Sequence, residues 1–405
     1  MNPLAAAPAG GALAGLRVID LSRVLAGPLC TQMLADHGAE VVKVEPPAGD
    51  ETRTLGPPFD EHGDAAYFVA LNRGKRGIAL DLSQPEGRAL LLQLLDGADV
   101  LVENFIPGTM SRWGLDYDSV LAARFPRLVY CAVSGFGADG PLGGLPGYDA
   151  ILQAMCGLMS VNGDPASGPT RVGIPIVDHL TAYTAMSGIL MALFERQQSG
   201  RGQRVEATLF DTALSLLVPH ASNWMYSART PELLGSAHPN IAPYDRFECR
   251  DGPIFLGILN DRQFLRFCEC VDLGALPGDE RFARNASRLH HRDALRALIA
   301  DALAHRMRDE LCEGLMRMGV PAGPVNTVPQ AFEQAHAHHR RMRVDGAGYR
   351  GLGLPMRLGR TPGHPGAPPP AFAQHAESVL REAGLTSEQI DRARQRGATP
   401  RRAAR

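Results

Sequence analysis

Leu16-Arg17-Val18-Ile19-Asp20-Leu21, followed by Gly27-Pro28, Leu29 to His37, Gly38 and Glu40-Val41-Val42-Lys43-Val44-Glu45, decides the fold class. The first piece is a short β-branched run that suits a buried strand. The middle piece carries apolar residues at helical spacing, and Gly38 stops it. The last piece is a second strand. Strand, helix and strand in some thirty residues form a βαβ unit, whose strands lie parallel.

The same rhythm extends outward. Arg76 to Leu82 reads as a strand, and Pro85 opens a helix carrying the stripe Leu90, Leu91, Leu92, Leu94 and Leu95. Asp99 to Glu103 and Arg127 to Ser134 read as further strands. After Asp178 the longest helical stretch runs from His179 to about Gln198, with Ala182, Met186, Ile189, Leu190 and Leu193 recurring at helical spacing. Val205 to Leu209 is strand-like, and Phe210 to Val218 helical. From about Pro219 the texture turns to loops, with His238-Pro239-Asn240 and Ala242-Pro243-Tyr244. Helices then follow at Asp261 to Cys270, Arg292 to His305 and Arg308 to Met318. Beyond Gln330 no strong period returns until Ala373 to Glu382 and Ser387 to Gln395. The ending, Arg394 to Arg405, carries five Arg with Gly, Pro and Ala and reads as a disordered tail.

Composition narrows the class. The 405 residues are 45% hydrophobic, and 41 Lys+Arg against 43 Asp+Glu leave a net charge of −2. That balance speaks against nucleic acid as a partner and against a polybasic membrane binder. No apolar run reads as long enough for a membrane span, since Asp, Thr, Gly or Arg breaks each within about a dozen residues. Met1-Asn2-Pro3-Leu4-Ala5 lacks the basic region of a signal peptide. Seven Cys without a CxxC pair suggest neither a disulfide framework nor a zinc site. A cytoplasmic globular protein is expected.

Three motifs carry possible chemistry. Gly135-Phe136-Gly137-Ala138-Asp139-Gly140 matches the dinucleotide-binding pattern and follows a strand. A phosphate loop must open directly into a helix, and Pro141-Leu142-Gly143-Gly144-Leu145-Pro146-Gly147 cannot be one, so a nicotinamide site is rejected. His336, His338 and His339, with Glu333 one turn earlier, match no metal-ligand spacing and read as a solvated helix or loop, as do His290-His291. Asp178 stands at the mouth of the long helix. It suits an N-cap, whose ionised form the helix dipole favours, and equally a nucleophile toward an activated acyl group.

Ser22-Arg23-Val24-Leu25-Ala26-Gly27-Pro28 and Gly38 to Pro47 resemble the start of the family III CoA-transferases. That group contains formyl-CoA transferase, carnitine CoA-transferase and α-methylacyl-CoA racemase. The resemblance continues through Asn72 to Arg76, Val102 to Gly108, Ser134 to Gly137, Gly147-Tyr148-Asp149, Arg171 to Gly173, Gly200 to Val205 and Pro321 to Val325. It implies a large Rossmann-like domain with a parallel sheet, built from both chain ends, and a smaller α+β domain. Residues 1–222 and 332–405 would form the first and 223–331 the second. It also implies an interlocked homodimer.

By the same resemblance Asp178 matches the nucleophilic aspartate. Leu25, Ala26, Leu80, Asp81, Leu82, Ser83, Asn104, Phe105 and Arg112 match positions that hold coenzyme A, and Tyr148 is expected to bind it with them. Arg112 could pair with phosphate, and Asn104 with adenine or pantetheine. No metal and no cofactor are implied, since the CoA thioester is itself a substrate. Tyr148 stands where the racemase branch carries a His, and Tyr is a poor base near neutral pH. Leu25 stands where formyl-CoA transferase carries Gln, and the glycine-run loop is replaced by His238 to Tyr244, Gly257 and Asn260-Asp261. The implied activity is CoA transfer from an acyl-CoA, succinyl-CoA first, to a free carboxylic acid, a dicarboxylate first. Arg23, Arg53 and Arg76 are the candidate partners of a second carboxylate. A 2-methylacyl-CoA racemase and a non-catalytic acyl-CoA-binding protein are the alternatives.

Overall fold

The computed structural model describes residues 10–346 and 348–400. The opening Met1 to Ala5, on which the signal-peptide reading rested, lies outside the described residues. Strands β1 (Arg17–Asp20), β2 (Glu40–Glu45), β3 (Lys75–Ala79), β4 (Val100–Glu103) and β5 (Val129–Ser134) come first along the chain. A pair of two-residue strands, β6 (Gly163–Asp164) and β7 (Gly168–Pro169), precedes β8 (Arg204–Thr208). Six of them form one parallel sheet in the order β3-β2-β1-β4-β5-β8. That is the Rossmann order, with its reversal between β1 and β4. The α/β, Rossmann-like expectation holds.

The helix expected from Leu29 begins at Ala26 and ends at Asp36. It starts early because Pro28 falls in the first turn, where its missing N–H would have had no partner anyway. Gly38, at φ 104°, then turns the chain into β2. Pro85 opens the helix Pro85–Leu94, as read. The helix expected from His179 spans Ile176–Ser199. At 24 residues it is long and apolar enough to cross a membrane by length and composition, which corrects the reading that no stretch is. Its buried face, through Ala182, Ala185, Ile189 and Leu193, packs on the helix Ala26–Asp36 and on β5 and β8.

Contacts divide the chain into two units. The larger takes residues up to Cys156, Gly173–Leu216 and the chain from Ala335 on. The smaller takes Gly157–Val172 and Leu217–Gln334, so it includes a stretch well before residue 223 that the sequence texture did not mark. Its sheet, order β11-β10-β9, joins β9 (Tyr244–Cys249), β10 (Gly252–Gly257) and β11 (Ala322–Pro324) antiparallel. Asp245, Phe247 and Cys249 alternate inward along β9, as a one-sided sheet requires. The buried Arg288 guanidinium donates to the carbonyls of Ala242 and Phe282 and to Asp261, and lies over the Phe264 ring.

Near the C-terminus of the larger unit, β12 (Arg343–Gly346) and β13 (Tyr349–Leu352) form a hairpin. Arg73 ties it to the first helix by donating to Asp36 at 2.8 and 2.7 Å and to the Leu352 carbonyl. The disordered-tail reading fails for the described part of the ending. Arg394 lies in the helix Ser387–Gln395, Ala398 and Thr399 are fully buried, and the Asp81 N–H donates to the Ala398 carbonyl at 2.9 Å. Two small side chains fit there against the sheet edge, and composition hides that. Arg401 to Arg405 lie outside the described residues.

Candidate active site

At the C-terminal ends of β1 and β4, where the strand order reverses, a cleft of about 540 Å³ opens. This is where an open α/β sheet binds its ligand. Leu25, Ala26, Leu80, Asp81, Leu82, Ser83, Asn104, Phe105, Tyr148 and Asp178 all line it.

The loop after β1 is held from several sides. Asp20 accepts from the Ser22 N–H at 2.9 Å, and Lys43 donates to the Ser22 carbonyl at 2.8 Å. The Asn104 amide clamps the Arg23 main chain, accepting from its N–H at 2.9 Å and donating to its carbonyl at 2.7 Å. Val24 sits at φ 69°, an unfavourable conformation for a β-branched residue. Such strain persists only where the surroundings fix it. No side chain caps the helix that follows, and its N-cap Leu25 and first residue Ala26 line the cleft.

Asp178 is the third residue of its helix, not the N-cap; Pro175 holds that position and offers no capping side chain. The cap comes from 28 residues away. Asp149, buried at the start of the helix Asp149–Met155, accepts from the Val177 N–H at 2.8 Å and the Asp178 N–H at 3.2 Å. Its other oxygen accepts from the Gln153 amide at 2.6 Å. With the first-turn amides satisfied by Asp149, the Asp178 carboxyl is left to the cleft. Burial, and then the Asp149 charge, push Asp178 up to about 7. The ionised form is therefore disfavoured in the free protein, the reverse of what the helix dipole alone suggests. Burial followed by the charges of Asp178, Asp149 and Asp50 pushes the nearby Tyr67 hydroxyl up to about 12, so it stays protonated.

The family model for CoA-transferase family III matches residues 13–376. The chain belongs to that family. It is 40% identical over 381 residues to the succinate–glutarate CoA-transferase of Agrobacterium fabrum, covering 91% of this chain and 95% of that protein. It is 38% identical to the succinyl-CoA:mesaconate CoA-transferase of Haloarcula hispanica, over 93% of this chain and 97% of the other. The crystal structure of a CaiB/BaiF family protein from Brucella suis superposes with a TM-score of 0.83 at 40% identity, covering 92% of this chain and all of that one. The protein is a CoA-transferase.

Within this family III transferase some sequence expectations change. Arg112 is exposed, donates to the Thr109 hydroxyl at 2.8 Å and does not line the cleft. Asn104 lines it while its amide also holds the Arg23 main chain. Arg53 is buried against Glu45 and Asp64, and Arg76 pairs with Glu40 and Glu382, so of the three arginines only Arg23 reaches the cleft. No helix follows Gly135 to Gly140 until Asp149, in keeping with the rejected phosphate loop. Gly135 instead packs against Gly147: a Cβ on it would stand 2.8 Å from the Gly147 backbone. His336, His338 and His339 are exposed, and no group of metal-ligating side chains occurs among the described residues.

Asp149 and Tyr67 were not assigned from sequence. Asp149 stands beside Tyr148 in a quoted motif, which is the signal that was there to read. The pair predicts a pH effect. A nucleophilic role for Asp178 would require its ionised form, and kcat/KM is then expected to rise with pH through about 7. Asp149→Asn keeps a capping oxygen and removes the charge, so the midpoint is expected to move to lower pH. An unchanged midpoint would show that Asp149 does not act on Asp178 through charge.

Proposed function

We propose that this enzyme moves CoA from an acyl-CoA, succinyl-CoA first, to a free dicarboxylate, through covalent chemistry at Asp178. The observation that carries the reading is the shared cleft. Asp178, its carboxyl freed by the Asp149 cap, lines the same cavity as the uncapped helix start at Leu25-Ala26. A carboxylate whose proton affinity is raised is the better nucleophile once ionised, and aimed N–H groups can take up the charge of a tetrahedral oxyanion.

The steps balance without a redox group or metal. An Asp178 oxygen attacks the donor thioester carbonyl, the C–S bond breaks, and a mixed anhydride and CoA thiolate result. The thiolate attacks the Asp178 carbonyl carbon, releasing the donor acid and leaving an aspartyl-CoA thioester. The acceptor carboxylate attacks that thioester to give a new anhydride and thiolate. Attack of the thiolate on the acceptor carbonyl carbon then yields product acyl-CoA and free Asp178. The thioester energy is conserved throughout.

Dicarboxylate use is supported by relatives named for glutarate and mesaconate. In the cleft, Arg23 is the cation for a second carboxylate. Among the described residues its ion-pair partner is exposed Glu51 at 3.1 Å, a contact a substrate can replace at little cost. Exposed Tyr183, Met191 and Phe194 on the long helix fit a face covered by a second copy, as an interlocked homodimer provides. A reducing, cytoplasmic setting suits seven free cysteines. The test is mass spectrometry of CoA products across paired donors and acids. Dicarboxylates should accept CoA from succinyl-CoA, and Arg23→Met should raise their KM about tenfold while sparing monocarboxylates. No dicarboxylate turnover, or solvent-deuterium exchange at the acyl α-carbon without any acceptor, would overturn the reading.

A further inference from the structure

Behind the cleft wall lies a second, smaller cavity of about 110 Å³, which shares Phe105, Ile106, Pro107 and Ser134 with the first. At the end of β4, lining the smaller cavity, stands Glu103, a buried carboxylate that the transfer chemistry does not use. One of its oxygens accepts from the Phe105 N–H at 2.7 Å; the other accepts from the Tyr130 hydroxyl at 2.8 Å. Tyr130 is in turn stacked on Tyr117, ring centroids 5.2 Å apart. Asn104, between Glu103 and Phe105, is the residue that clamps Arg23, and the Phe105 ring packs edge-on against Trp113.

We propose that Glu103 is a positioning residue for the acyl-CoA: its carboxylate fixes the Asn104-Phe105 wall, and through Asn104 the Arg23 loop, in the shape that seats the thioester. The assignment rests on the CoA-transfer reading of the cleft. An ionised carboxylate can accept from both donors at once. A protonated one carries a hydroxyl that must donate, so one of the two contacts is weakened or reversed. Burial pushes Glu103 up to about 7, which places that change near neutral pH. The groups facing it are Tyr130 and Cys131 on β5, Tyr117 and Asp116 beside the stacked ring, and Arg204 and Glu206 on β8. The Arg204 charge favours the carboxylate and the Glu206 charge opposes it. Burial and Glu103 raise the Tyr130 hydroxyl, so it stays protonated across this range and the change in charge belongs to Glu103.

The experiment measures KM for acyl-CoA, KM for the acceptor acid and kcat from pH 5.5 to 8.5, with calorimetric binding of free CoA alongside. In the native enzyme KM for acyl-CoA should rise as pH falls through about 7. At pH 8, Glu103→Gln should raise KM for acyl-CoA and Kd for CoA about tenfold, the size of one lost hydrogen bond to a charged acceptor, with a smaller change in kcat. It should also flatten the pH dependence of that KM. Tyr130→Phe, which removes one donor and leaves the carboxylate, should show the same trend at smaller size. An acyl-CoA KM in Glu103→Gln within twofold of native, with the native pH trend kept, would overturn the proposal, as would a loss confined to kcat. Absence of transfer in the native enzyme would instead strike the CoA-transfer reading, and CoA calorimetry would still report on the wall.

Discussion

Asp178→Ala is expected to lower kcat for CoA transfer by at least about 10⁴-fold while free CoA still binds with near-native affinity. The carboxylate whose charge acts on Asp178, that of Asp149, cannot stand in for it as the proposed nucleophile, because it is committed to the helix amides. The fold should survive. The native Asp178 carboxyl holds its proton up to about 7, against 3.8 for a free Asp. Between those values the folded chain binds a proton that the unfolded chain has released, so this group's contribution to stability falls as pH rises through about 7. Asp178→Ala removes that cost, and its Tm at pH 8 should equal or exceed the native value. A drop in Tm with the rate loss would mean that the carboxyl is structural.

The second large effect is on stability. Asp20, fully buried at the end of β1, meets Lys75 at 3.0 Å and accepts from Thr31 and Ser22. Lys75 also donates to the Pro28 carbonyl and to Asn72, and Lys43 pairs with Asp50 at 2.9 Å. Asp20→Asn leaves buried ammonium groups short of a counter-charge, which typically costs about 3–5 kcal/mol. Urea unfolding should show it as a lower midpoint at unchanged slope. Burial alone would raise Asp20, but Lys75 and Lys43 outweigh it and hold it at about 2. Its contribution is therefore complete above the unfolded value near 3.8 and is lost as pH falls toward about 2, a swing of roughly 2 kcal/mol. Lys75 acts in the other window. Burial takes it from 10.5 to about 8, so its cost to the fold fades as pH rises from about 8 to 10.5. A double-mutant cycle of Asp20→Asn and Lys75→Met should show strong coupling; additive costs would mean that the pair does not hold the β1 loop together.

The parallel sheet was legible because its strands are short β-branched runs separated by helices with clear Pro starts and Gly stops. Asp261 to Cys270 and Ser387 to Gln395 have the bounds read from their periodicity. The hairpin β12–β13 was not legible: four-residue strands carry too little alternation to stand out. Asp149 escaped because a cap is sought just before a helix, whereas this one reaches across 28 residues to a helix whose own N-cap is a proline. The roles suggested for Arg53 and Arg76 followed side-chain chemistry, but the fold spends those groups on internal partners. Burial of Ala398 and Thr399 has no composition signal at all.

The central claim is that Asp178 itself becomes acylated and then thioesterified. Incubation with acyl-CoA, trapping with hydroxylamine or borohydride, and peptide mapping by mass spectrometry tests it most directly. The account predicts a modification on the peptide carrying Asp178, formed only when acyl-CoA is present and absent from Asp178→Ala. CoA passing to an acceptor acid while that side chain stays unmodified, or a trapped adduct on another residue, would contradict it.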